Sequence, residues 1–447
     1  MKILTSRSIL TTLFTVLASV SFSQLKITGE IRPRMEYRHG FKTLPDSGAR
    51  HAIFVDQRTR LNFDYAKNKI AFRVSLQDVR VWGNQSQLVG NEDFGTSIHE
   101  AWGLVKLTDS LSLKFGRQEL VYDDHRILGN VGWAQQARSH DAAIFQWNRN
   151  KLKLHFGGAY NQSAANLFST NYTVSKSYKS MQMLWANYKF NPSMNLSFLA
   201  MSVGQQVNFT NSNGDADYQD NYTLTTGTRF VFDKKSFGFN FNGYYQLGST
   251  NEWPKRSVSA YDVGLEVYYK VKESMKFTLG LEMLSGNSQT DTTASYNDVQ
   301  HAFNPYFGTN HKFNGLMDYF YVGNHIGSVG LNDFYFRFDY KREKFNAGLC
   351  AHAFMANADI LDVDWLMDPA NTTGEIRAMS PYLGAEIDLF GGFKIVEGAS
   401  CKLGYSHMLG TSSMEALKGG DRNEIANWGW VMITLKPTLF EQKPKDK

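Results

Sequence analysis

The stretch DQRTRLNFDY, residues 56–65, decides the fold. Asp56, Arg58, Arg60, Asn62 and Asp64 share one parity; Gln57, Thr59, Leu61, Phe63 and Tyr65 share the other. Along a strand, successive side chains leave on opposite faces, so one face here is charged and the other turns apolar. A strand with two arginines and two aspartates on a single face needs water on that side and an apolar medium on the other.

The alternation recurs along the chain. LKITGEIRPRMEYR (25–38) sets Leu25, Ile27, Ile31, Met35 and Tyr37 against Lys26, Thr28, Glu30, Arg32, Arg34, Glu36 and Arg38. DFYFRFDYK (333–341) sets Phe334, Phe336, Phe338 and Tyr340 against Tyr335, Arg337, Asp339 and Lys341. YDVGLEVYY (261–269) and MKFTLGLEM (275–283) follow suit. These are strands with one greasy and one wet face. Short turns fall at Lys67-Asn68, Thr108 to Ser110, Arg149-Asn150, Asn191 to Ser193, Asp233 to Ser236, Val271 to Ser274, Arg342-Glu343 and near Gly391-Gly392. Longer polar loops lie near 39–51, 83–97, 123–139, 163–178, 209–221, 249–257, 285–331, 356–376 and 410–426. Eight turns and nine loops alternate strictly, which makes eighteen strands.

This pattern predicts an all-β fold, a transmembrane antiparallel β-barrel of about 18 strands, with short periplasmic turns and longer outside loops. The apolar parity faces lipid and the polar parity faces the lumen. A soluble two-sheet sandwich shares the local alternation but not the alternating turns and loops behind a leader. Residues 1–23 read as that leader, a cleaved signal peptide: Lys2 and Arg7, an apolar Ile9 to Val20, then Ser21-Phe22-Ser23 before Gln24. Residues 24–447 form the barrel. Trp82, Trp102, Trp147, Trp185, Tyr188, Phe190, Trp428 and Trp430 are expected in interfacial girdles. Eighteen strands predict a channel rather than a packed interior.

Composition narrows the function. The formal charge is +5, or +3 without Lys2 and Arg7, too small for a nucleic-acid binder of this size. Only Cys350 and Cys401 are present, which is no disulfide framework; they read as buried thiols. No HxxxH or HExxH pattern indicates zinc. Asp215, Asp217 and Asp220 in NSNGDADYQDN (211–221) are a weak calcium candidate, since acidic loops are commoner without metal. No G-x-S-x-G elbow occurs, and adjacent Ser406 and His407 point to opposite faces, so a barrel-borne lipid hydrolase is disfavoured and no enzyme is expected. A structural or adhesive barrel is the other alternative. No cofactor is implied.

Twelve of the eighteen arginines after the leader precede residue 150. Parity sends Arg32, Arg34, Arg38, Arg58, Arg60 and Arg73 to one wall of the lumen, interleaved with Glu30, Glu36, Asp56 and Asp64. Such a wall is either a stiffening ladder of paired charges or a basic track for an anionic solute; guanidinium matches carboxylate with two parallel hydrogen bonds. In GRQELVYDDHRILGNVGWAQQARSHDAAIFQW (116–147) alternation breaks near Gly116. A bulge there is expected to turn Arg117 and Glu119 inward, with the following loop folding into the mouth. Glu100 and Arg337 complete the candidate pore-lining set with Arg126, Arg138 and Asp64.

DQRTRLNFDY, LQDVRVWG, HEAWGLVKL, GRQELVYDDHRILG and WAQQARSHDAA, with FNPYFGTNHKFNGLMDYFY (303–321), resemble the alginate export family of outer-membrane barrels. The resemblance is dense in 56–147 and 303–340. It implies an eighteen-stranded barrel that passively exports the polyuronate alginate through an arginine-rich pore, with Arg58, Arg60, Arg73, Arg117, Arg126 and Arg138 as selectivity residues. It also implies outer-membrane lipid, a polar or anionic saccharide and periplasmic polymer-handling proteins as partners, and a monomer. The chain departs from the pattern in ending TLFEQKPKDK, with Phe440 as an internal end signal, and in its many lumen acids.

Overall fold

The computed structural model describes residues 24–88, 95–172, 174 and 178–442; the expected signal peptide lies outside them. Twenty strands are present among them: β1 (Gln24–His39), β2 (Ala52–Lys67), β3 (Ile70–Val81), β4 (Ser97–Lys106), β5 (Leu111–Gln118), β6 (His140–Arg149), β7 (Leu152–Tyr160), β8 (Ser180–Asn191), β9 (Met194–Thr210), β10 (Ala216–Asp233), β11 (Phe237–Ser249), β12 (Ser257–Lys272), β13 (Met275–Leu284), β14 (Val299–Gln300), β15 (Leu331–Lys341), β16 (Phe345–Met355), β17 (Tyr382–Val396), β18 (Ala399–Gly410), β19 (Ala426–Leu435) and β20 (Thr438–Glu441). All but β14 and β20 form one antiparallel barrel. Each pairs with the next, β13 pairs with β15, and β19 returns to β1, matching Ile31 to Leu435 and His39 to Asn427. The short β20 extends the seam beside β1, and β14 adds a parallel patch to β12.

Closure satisfies the backbone in lipid, where an unpaired amide costs several kcal/mol. The faces divide as parity demands. In β1, Ile31 and Met35 are 45% and 47% exposed, while Glu30, Arg32, Arg34 and Glu36 are buried at 0–7%. Phe72, Phe115, Phe156, Leu184, Leu265, Leu279, Phe336, Leu403 and Ile433 are exposed all around the wall, the apolar surface a bilayer covers.

Turn and loop lengths alternate as read, with two adjustments. β17 runs straight through Gly391-Gly392, and its turn lies at Glu397-Gly398. β10 begins at Ala216, so Asp217 and Asp220 belong to a strand and point to opposite faces; Asp220 is held by the Lys179 ammonium at 2.9 Å. Asp215, Asp217 and Asp220 therefore do not converge on a calcium ion. Of the cysteines, Cys350 is buried but Cys401 is partly exposed.

The interior differs from the open channel expected. Loops 119–139 and 285–330 fold inward and meet. Leu128 bridges Phe307, Gly129 N donates to Phe307 O at 2.9 Å, and Thr309 N donates to His125 O at 2.9 Å. Ile127, Leu128, Phe303, Met317, Tyr319 and Phe320 pack against Leu284, Leu331, Phe354, Leu383, Met408 and Trp428 at the loop ends of the strands. The loop-side half of the barrel thus holds a hydrophobic core with buried charges set into it, among them Glu36, Asp262, Glu282, Asp333 and Glu386. Several tryptophans join the interior. Trp102, Trp185, Trp428 and Trp430 point inward rather than into a girdle: Trp102 Nε1 donates to Glu100, Trp185 Nε1 to Asp123 and Trp428 Nε1 to Glu36, partners that hydrocarbon does not offer. Trp82, Tyr188 and Phe190 stay outside.

The outer loop after β18 carries a helix, Ser412–Lys418, capped by the Thr411 side chain, and closes over this core. Its Lys418 ammonium lies 5.2 Å from the Phe320 ring. Burial lowers the Lys418 pKa to about 7.

Two outcomes follow from this architecture. Leu279→Arg puts a cation on the lipid face and is expected to cost about 2–4 kcal/mol in urea-equilibrium folding into bilayers. Above about pH 7 the docked Lys418 holds fewer protons than a free lysine, so docking of the 411–425 loop tightens as pH rises from 7 toward 10 and is weakest below 7. Hydrogen exchange at pH 6 and pH 9, corrected for intrinsic rates, is expected to show better protection at pH 9, and Lys418→Met to level the two.

Candidate pore-lining site

The β1–β2–β3 wall follows from register. Glu30 faces Arg60, Arg32 faces Arg58, Arg34 faces Asp56 and Asp64 faces Arg73. Two arginines directly opposed repel each other unless each finds its own acceptor. Arg58 turns to Glu30, Nε to Oε1 at 2.8 Å. Arg32 turns to loop 119–139 instead. It donates to Gln135 Oε1 at 2.8 and 3.0 Å and to the carbonyls of Gly132, Trp133 and Ala134 at 2.8, 3.1 and 3.3 Å. Arg34 donates to Trp133 O at 2.9 Å, pairs with Glu36 and Asp56, and lies 4.2 Å from the Trp133 ring. Gln135 reaches back to Asp56 at 2.7 Å. This half of the wall holds the loop.

Below it, Arg60 Nε donates to Gln77 Oε1 at 2.7 Å, and its buried Nη2 has no partner among the described residues. Arg73 bridges Asp64 at 3.2 Å and Glu100 at 2.8 Å, with its side chain 32% exposed. Glu100 owes its inward aim to a bulge in β4. Ser75 pairs with Glu100 and Leu76 with Ile98, so His99 is the extra residue and both His99 and Glu100 are buried in the interior.

The expected bulge at Gly116 is absent. β5 pairs with both neighbours without a shift, so Arg117 stays on the outer face at the rim, paired with Asp141 at 3.0 Å. Gly116 is glycine because its φ is +107° and a Cβ would collide with Ala101 O. Glu119, just past the strand end, does turn inward. It accepts from Asn130 at 2.7 Å and bonds His99 Nε2 at 2.8 Å. The two hydrogen bonds and the nearby Arg60 guanidinium hold its carboxyl below the usual range against the effect of burial. The ligating atoms of His99, Glu100 and Glu119 lie within 4.8 Å of one another. They already bond each other, Trp102 and Arg73, so the cluster anchors the loop.

Across the barrel, Arg126 is fully buried from the loop side. It pairs with Glu282, stands 3.9 Å from Asp262 and lies over Phe313 at 3.6 Å. Asp124 accepts from Arg229 at 2.7 Å and Asn242 at 2.9 Å. Arg138 donates to Gly308 O at 3.0 Å, and burial lowers its pKa to about 10. Arg337 is chelated by Asp339 at 2.8–3.0 Å and stacks over Phe390 at 4.8 Å.

Arg32, Arg34, Arg58, Arg60, Arg73, Arg126, Arg138 and Arg337, with Glu100 and Asp64, thus all face the interior, and Arg117 does not. They do not form one track: Arg126, Arg138 and Arg337 sit away from the β1–β3 wall. Sequence reading missed the acids around Arg126, although parity already placed Asp262 and Glu282 inside. It also missed Lys312, whose inward position has no local signal.

Arg32→Ala leaves Gly132 O and Gln135 Oε1 without their donor, while Trp133 O keeps Arg34 and Ala134 O keeps Ala137 N. Hydrogen exchange of residues 132–136 is expected to lose about 2 kcal/mol of protection or more, with strand amides of β10–β13 unchanged.

The alginate export family model matches residues 23–412. No curated protein matches the sequence. Among solved structures, OccAB1 of Acinetobacter baumannii is similar at TM-score 0.59 and 11% identity, covering 94% of this chain and 97% of that one. OccK11 (OpdR) of Pseudomonas aeruginosa is similar at TM-score 0.58 and 11% identity, covering 94% and 96%. The outer membrane protein opdK of Pseudomonas aeruginosa is similar at TM-score 0.58 and 12% identity, covering 93% and 98%. At such identities the likeness is one of fold. With the family match over most of its length and lipid-facing strands all around, the chain belongs to the alginate export family and is an outer-membrane β-barrel.

Proposed function

We propose that the chain is a monomeric passive channel for polar and anionic saccharides. Family membership and the barrel support passive transport, not catalysis. The observation that carries the solute class is the state of Arg60 and Arg73. Arg60 is only partly buried and its Nε bonds the neutral Gln77, and Arg73 stays about one third exposed on the turn side of the loop anchors. These two meet a carboxylate first, and weakly enough to release it. Arg32, Arg34, Arg58, Arg126 and Arg138 set the width by holding loops and acids, and Arg117 plays no part in the lumen. A barrel closed on itself needs no second copy, which supports the monomer.

The packed loop-side core favours a second reading, a closed barrel with a structural role. Planar-bilayer recording separates the two. A passive channel is expected to conduct and to prefer chloride over potassium, and Arg60→Ser with Arg73→Ser to lower that preference about twofold. No conductance from correctly folded protein favours the structural barrel. Conductance with selectivity indifferent to both substitutions refutes the role given to Arg60 and Arg73.

A further inference from the structure

Beneath the crossing loops, on the side opposite the β1–β3 wall, lies a cavity of about 380 Å³. It is bounded by β10–β13 and β15–β17, by Asp124 and Arg126 of loop 119–139, and by the tip of loop 285–330. That volume is at the small end of ligand sites and suits one ring rather than a polymer segment.

Its charges are unusually placed. Lys312 enters from the loop and is exposed to the cavity; its ammonium donates to the backbone carbonyl of Asp124 at 2.8 Å and has no carboxylate partner among the described residues. Burial lowers its pKa, and Asp124 and Glu266 offset only part of that. Glu266 lines the same cavity. Its oxygens accept from Asn240 at 2.9 Å and the Tyr335 hydroxyl at 2.7 Å, both neutral donors. Lys312 and Glu266 thus feel each other without touching. Another wall group is short of a partner: Thr278, 4% exposed, has none for Oγ1 among the described residues. Buried polar atoms of this kind call for a bound polar molecule.

We propose that this cavity is a binding subsite for a small polyhydroxylated monocarboxylate, its carboxylate on Lys312 and its hydroxyls on Glu266 and Thr278. The carboxylate supplies the charge Lys312 lacks. Hydroxyls donate to Glu266, which a second anion does not, so the two ends fix the orientation. The Tyr335 ring lies beside Glu266 and the Phe390 ring under Arg337, apolar faces for a sugar ring. This rests on the channel reading, but places the solute on the wall away from the arginine-rich strands.

Equilibrium binding of sodium glucuronate, glucose and sodium propionate to the detergent-folded chain tests it. Glucuronate is expected to bind about tenfold tighter than glucose, which lacks the charge, and than propionate, which lacks the hydroxyls. Lys312→Gln is expected to remove the advantage over glucose, Lys312→Arg to restore most of it, and Glu266→Gln to shrink the advantage over propionate. Heat-modified gel mobility identifies any variant that fails to fold. Equal binding of all three probes, or glucuronate binding indifferent to Lys312→Gln in folded protein, overturns the subsite. Parallel bilayer recording keeps the two ideas apart: conductance without selective binding sinks the subsite alone, and selective binding without conductance sinks the channel alone.

Discussion

Every backbone amide in the wall must find a partner without help from water, and the rest of the structure follows from that. A closed sheet meets the requirement, and its seam is where it is hardest to meet. Here β1 and β19 pair over Ile31 to His39, and the seam is stitched on its inner face as well. Glu36 accepts from Trp428 Nε1 at 2.9 Å and from Arg38 at 2.8 Å, while pairing with Arg34. Pro437, which cannot donate, falls between β19 and β20, and its carbonyl accepts from Gly29 N at 3.1 Å. Once the sheet is closed, side chains have two destinations only, and the sequence must alternate.

Closure creates the second problem. Charges sent inward by parity leave bulk water for a narrow space in which unpaired ions are costly. The barrel answers with acids opposite or diagonal to the arginines, as in Asp64 facing Arg73 and Glu30 diagonal to Arg58. Where register opposes arginine to arginine, a loop supplies the acceptors. Arg32 and Arg34 thereby become structural supports, and the loop they hold carries Leu128 and Trp133 into the interior. The hydrophobic core inside the loop-side half is then a consequence of the charged wall below it.

This also marks what was legible in the sequence. Parity is local, so DQRTRLNFDY told which residues face inward, and Asp56 to Asp64 lie where alternation put them. The alternation of turns and loops gave the strand number for the same reason. What failed was set by distant partners. The inward tryptophans depend on Asp123, Glu36 and Glu100 being within reach, which no window around Trp185 or Trp428 contains. The bulge in β4 was misplaced because Gly116 broke the visible pattern, while His99, flanked by ordinary residues, carried the extra position. The meeting of loops 119–139 and 285–330 joins segments far apart in the chain, and only the folded barrel brings Leu128 to Phe307.

The distribution of partners also orders the lumen cations by what they offer a passing solute. A carboxylate competing for Arg32 must displace four acceptors already arranged around one guanidinium, each bond to a charged group being worth about 1.5–3 kcal/mol. It gains two bonds in return and leaves the Gly132 carbonyl and the Gln135 amide oxygen stranded in a dry interface. Against Arg60 or Lys312 nothing comparable is lost: the first donates to one neutral side chain, Gln77, and the second holds a single carbonyl. Arginine count is therefore a poor guide to selectivity in such a barrel. The cations that matter to a solute are those the fold has left undercommitted, and they lie below and across from the cluster that is most conspicuous in the sequence.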